Sequence, residues 1–117
     1  MSNRSDKEFL LDIFEACKRI RAFVKDMSYE DFLQDIKTQD AVIRNIEIIG
    51  EAVKNISEDF KIKHPEIEWR KISGMRDKLV HFYFGVNLEI VWDVAKNKVS
   101  DLIESASKLV KEFPSSD

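Results

Sequence analysis

The chain has 117 residues, 44% of them apolar and 35% charged, with a net charge of −3, 3 Gly, 2 Pro and a single Cys. That length suits one domain, residues 1–117, burying about two-thirds of its unfolded surface, and the apolar share excludes a disordered chain. No apolar run approaches the ~20 residues of a membrane helix, the first residues lack an apolar signal segment, and one cysteine cannot pair internally. A cytoplasmic protein with no membrane partner is therefore expected. Its acidic balance argues against a general nucleic-acid coat protein but leaves room for a local basic site.

Helical periodicity runs through the chain and strand alternation is nowhere sustained. Leu10, Ile13, Cys17, Ile20, Val24 and Met27 draw an apolar stripe on a first helix of about residues 6–26, widened by Phe9, Phe14 and Phe23. Ser28 and Asp31 read as a capping box opening a new segment with Phe32 and Ile36, which breaks near Thr38 and Gln39. Val42, Ile46, Ile49, Val53 and Ile56 mark the second long helix. Ser57-Glu58-Asp59 and His64-Pro65 then make a connection of about eight residues, and Pro65 keeps His64 out of the α region. A short segment around Ile67, Trp69 and Ile72 leads to Ser73-Gly74, a kink or restart before a third helix over Met75–Phe84 that Gly85 closes.

Asn87 suits the N-cap of the last helix, whose stripe runs from Val91, Trp92 and Ala95 through Val99, Leu102, Ile103, Ala106, Leu109 and Val110 to Phe113. Together these predict an all-α fold: an antiparallel four-helix bundle with an additional short helix.

Chemistry has few places to sit. The chain has 2 His and shows no zinc-spaced Cys/His cluster, no phosphate-cradling Gly-rich loop and no paired Glu-x-x-His; no metal or cofactor is expected. Cys17 falls on the first stripe and reads as a small buried hydrophobe, Trp69 and Trp92 read as core anchors, and His64 reads as an ordinary surface residue. The stretch Ser73–Gly85 is different, because it sets Arg76, Asp77, His81 and Tyr83 among apolar residues. At about 100° per residue, Arg76 and Tyr83 share one face to within about 20°, and Asp77 and His81 share another. Such a helix is expected to be packed on several sides, one of them against a partner chain. The plainer alternative makes Arg76 and Asp77 surface charges and His81 a satisfied core histidine.

Arg76-Asp-Lys-Leu-Val-His81-Phe-Tyr83 resembles the Arg-x4-His-x-Tyr motif of HepT proteins, the toxin half of HepT/MntA toxin–antitoxin pairs within the HEPN superfamily of small helical domains. Arg44-Asn-Ile-Glu-Ile-Ile-Gly-Glu-Ala52 resembles the family's second-helix signature. His64–Ile72 resembles the approach to the motif and Phe84–Trp92 the exit from it.

The resemblance implies a metal-independent endoribonuclease working as a homodimer or a dimer of dimers. It makes Arg76 and His81 the catalytic pair, with Asp77 at the polar position after the Arg, where Asn is also usual. Tyr83 matches the tyrosine that an MntA-type nucleotidyltransferase modifies with AMP to silence the toxin. The residue chemistry agrees: RNA cleavage needs a base for the 2′-hydroxyl, donors for the phosphorane and an acid for the leaving oxygen. One chain offers a single such His, and a two-fold dimer offers two. Arg70, Lys71 and Lys78 add a basic patch suited to an RNA backbone. The alternative is a non-catalytic dimeric subunit that binds a nucleotide or substrate for a nucleotidyltransferase, with Arg76 on phosphate and His81 structural.

Overall fold

A computed structural model describes residues 4–80 and 87–113, apart from the side chains of Arg76 and Val80. Ser5 opens the first helix, α1 (Asp6–Val24), with a reciprocal capping box: its hydroxyl accepts from the Glu8 N–H and the Glu8 carboxylate accepts from the Ser5 N–H. Ser28 and Asp31 do the same for α2 (Tyr29–Leu33). The chain breaks at Gln34 and Asp35, before the expected Thr38 and Gln39. The cause is Asp35, whose carboxylate accepts from the Thr38 N–H at 3.0 Å and hydroxyl at 2.8 Å and so caps α3 (Ile36–Asn55). The Thr38 N–H, then its hydroxyl, holds the Asp35 carboxyl below its ordinary pKa.

Among the described residues every regular element is helical. α3 lies along α1, the last helix also packs on α1, and the motif-bearing helix packs on α3. Leu10, Ile13 and Ile20 of α1 and Val42, Ile46 and Ile49 of α3 are almost fully buried, as their stripes require. Asn45 is the buried polar exception: its amide N–H donates to the Ala41 carbonyl at 2.9 Å, while its oxygen accepts nothing.

Cys17 lies inside this core with no exposed surface, and burial pushes its thiol up to about 12. Thiolate is the reactive form, so alkylation by iodoacetamide at pH 8 should run roughly a thousandfold slower in the folded protein than in urea. Mass spectrometry of the labelled chain reads this directly, and equal rates in both states would contradict the buried placement.

Residues 58–63, expected to be connection, form the short helix α4 (Glu58–Lys63). Ser57 makes the difference. Its hydroxyl accepts from the Phe60 N–H at 3.2 Å, and its own N–H and hydroxyl donate to the Asp6 carboxylate at 2.8 and 2.7 Å, so one serine caps α4 and ties it to α1.

The last helix is interrupted. Asn87 caps α6 (Leu88–Asp93) as expected, its side-chain oxygen accepting from the N–H groups of Glu89 and Ile90. A π-helical turn (Val94–Lys98) then leads into α7 (Val99–Val110). Val91, Ala95, Val99 and Ile103 are each four residues apart, and on an uninterrupted α-helix every such step overshoots a turn by about 40°. The wider turn absorbs that drift, and all four are buried. Lys96, inside the turn, donates to the Val24 carbonyl at 3.4 Å, close to the left-handed Asp26 (φ 63°) that ends α1. Trp92 anchors this end against buried Phe32, with ring centroids 5.2 Å apart.

Candidate functional site

The helix that carries the first part of the motif, α5, runs from Trp69 to Val80. It passes straight through Ser73 and Gly74, where a kink or restart was expected. A Cβ at Gly74 would meet nothing within 4 Å, so neither steric need nor positive φ singles out glycine there. An interior glycine costs a helix about 0.5–1 kcal/mol, which the packing of its neighbours offsets.

The entrance to α5 is fastened from two directions. Trp69 donates its indole N–H to the His64 carbonyl at 3.0 Å, and its ring meets Phe60 edge-on at 6.2 Å. His64 is not the surface residue its place before a proline suggested, for only 13% of its side chain is exposed. Its Nδ1 lies 3.2 Å from the Glu66 carboxylate and its Nε2 3.1 Å from that of Glu112, beyond the end of α7. Its ring packs on Phe60 at 4.6 Å, and Phe60 stacks on Phe113 at 5.6 Å. No spacing pattern links residues 64 and 112, so this clasp has no signature in the sequence.

The exposed face of α5 shows Arg70, Lys71, Asp77 and Lys78, while Leu79 is 1% exposed and holds the helix to the core. Arg76 lies on α5, with its side chain outside the description; His81 and Tyr83 lie outside the described residues. Lys71 and Lys78, seven residues apart, line one cleft of about 390 Å³ between α5 and the last helix. Arg70 turns instead into the adjoining cleft beside Trp69 and Ser73, which Lys71 shares. The expected patch of Arg70, Lys71 and Lys78 is thus split over two clefts.

It is also less basic than residues 70–78 suggest. Glu68, just upstream, pairs with Lys71 at 2.9 Å, a contact that lowers the Glu68 carboxyl and raises the Lys71 amine. Both side chains are well exposed, so the pair contributes little to stability. A basic residue missing from the sequence reading enters from the far wall: Lys98, at the end of the π-helical turn, lines the same cleft.

Comparison with known proteins gives a consistent result. The family model described as Ribonuclease HepT-like matches residues 13–109. A protein of Thermococcus cleftensis named as a probable ribonuclease HepT is 52% identical over 108 residues, covering 92% of this chain and 98% of its own length. Two proteins of Methanocaldococcus jannaschii named as candidate RNases, MJ0127 and MJ1216, are 46% and 41% identical over 117 residues, each covering 100% of this chain and 97% of the relative. No solved structure matches the chain at a significant level.

Proposed function

The chain belongs to the HepT-like ribonuclease family, and from that premise we propose that it is a metal-independent endoribonuclease and the toxin of a toxin–antitoxin pair. The observation that carries this reading is the family match over residues 13–109, which spans the complete Arg76-x4-His81-x-Tyr83 motif, its first part on the described helix α5. Activity requires two copies of the chain, their motif helices sharing one cleft.

In that cleft one neutral His81 imidazole takes the proton of an RNA 2′-hydroxyl. The 2′-oxygen attacks the adjacent phosphorus, and Arg76 spreads its fork of donors over the equatorial oxygens as negative charge builds. The imidazolium of the second copy gives its proton to the departing 5′-oxygen. The products are a 2′,3′-cyclic phosphate and a 5′-hydroxyl, and the two imidazoles end with exchanged protonation. Asp77 follows the catalytic Arg on the exposed face of α5. Tyr83, seven residues from Arg76, is the acceptor of AMP from an MntA-type nucleotidyltransferase antitoxin, and the added phosphate competes for the donors meant for RNA.

Expression in a bacterial host tests the toxin reading. The wild-type gene alone is expected to arrest growth and fragment cellular RNA, and co-expression with the partner nucleotidyltransferase should restore growth and add AMP mass to a Tyr83 peptide. Normal growth with intact RNA, from soluble dimeric protein that binds a nucleotide, would favour a non-catalytic binding subunit instead.

A further inference from the structure

The cleft between α5 and the last helix has a floor of Ile72 and Met75 on one wall and Val94, Val99 and Leu102 on the other. Three ammonium groups line it, Lys71 and Lys78 from α5 and Lys98 from the π-helical turn, against the carboxylates of Glu66, Glu68 and Asp101. By count the cleft is neutral. The lysines are not equally engaged, because Lys71 pairs with Glu68 at 2.9 Å. Lys78 and Lys98 head no ion pair among the described residues, although Lys98 feels the Glu68 carboxylate at longer range. Lys78 and Lys98 thus stand on opposing walls over an apolar floor, with Glu66 and Asp101 the lining carboxylates that no lysine pairs among the described residues.

We propose that this cleft is an RNA-backbone track leading to the motif, and that Lys98 is one of its phosphate contacts. The inference rests on the ribonuclease reading above and adds to it a residue from a different helix. A single strand suits the arrangement: ammonium groups hold successive phosphates while bases lie on the apolar floor. The cleft runs alongside the motif helix: Met75 and Lys78, on either side of Arg76 and Asp77 in sequence, both line it, on a face at least about 100° round α5 from Arg76. The π-helical turn gives Lys98 its place. Lys96 of the same turn reaches the end of α1, Lys98 reaches the cleft, and the interruption lets α7 bury its stripe while doing so.

The test uses the full-length protein and a labelled single-stranded RNA, with binding measured on the His81→Ala background and cleavage on the otherwise unaltered chain. Lys98→Glu is expected to weaken binding about tenfold at low salt and to reduce the slope of log affinity against log salt by about 1. Lys98→Arg should retain most of the affinity. Lys108→Glu is the control: it carries the same charge change on α7, is well exposed, pairs with Glu104 and does not line the cleft. An equal loss in Lys98→Glu and Lys108→Glu would reduce the effect to bulk charge and overturn the proposal. Unchanged binding and cleavage in Lys98→Glu would overturn it while leaving the ribonuclease reading intact. Dissociation of the dimer by Lys98→Glu would also overturn it and make the cleft a protein interface. If the unaltered chain cuts no RNA, the ribonuclease reading itself has failed.

Discussion

Replacing His81 by Ala should lower the rate of RNA cleavage by about 10⁴-fold, the upper range for losing a general acid–base group. In the proposed dimer both copies would lose their imidazole at once, leaving neither the 2′-hydroxyl proton nor the leaving oxygen served. Arg76→Ala should cost about 10²–10³-fold, the range for losing one donor to a developing oxyanion, and Arg76→Lys should recover only part, because an ammonium lacks the planar fork. Initial rates on a short RNA, with circular dichroism to verify the fold, check these values. Full activity in His81→Ala protein would place the chemistry elsewhere.

Leu79→Ala should produce the largest loss of stability among changes on the motif helix, about 2–5 kcal/mol. Leu79 is 1% exposed, whereas Trp69, Ile72 and Met75 on the same helix are only half buried. Among the described residues α5 packs chiefly on α3, with the cleft between it and α7, so Leu79 carries much of its attachment. Urea unfolding followed by circular dichroism measures the loss. Cleavage measured well below the unfolding midpoint should fall as well, because Arg76 and Asp77 sit within one turn of Leu79. A loss under 1 kcal/mol would mean that α5 is held by other contacts.

The capping box at Ser28, the N-cap at Asn87 and the two long stripes of α1 and α3 follow from local chemistry and appear where that chemistry puts them. The features that escape sequence reading depend on contacts between distant segments. Ser57 could be read as the end of one helix, but the Asp6 carboxylate, 51 residues away, makes it the start of another. Gly74 suggested a break, yet the helix continues because Ile72, Met75 and Leu79 on either side of it pack. His64 needed Glu112 and Phe60 to become a half-buried clasp.

For the candidate site, the motif was fully legible as a string, and the family match over residues 13–109 includes it. Its basic surroundings were not. Counting charges over residues 70–78 left out Glu68, one turn upstream, and could not include Lys98 on another helix. The run of four-residue steps from Val91 to Ile103 was the available signal. It disagrees with a 3.6-residue turn and so marks the interruption that ends at Lys98.

The most direct test of the account is incubation of purified wild-type protein with RNA in excess EDTA, with products resolved by length and by end chemistry. Fragments ending in 2′,3′-cyclic phosphate are expected, formed at a rate per protomer that falls on dilution as the proposed dimer separates. Intact RNA in the presence of folded, dimeric protein would contradict it.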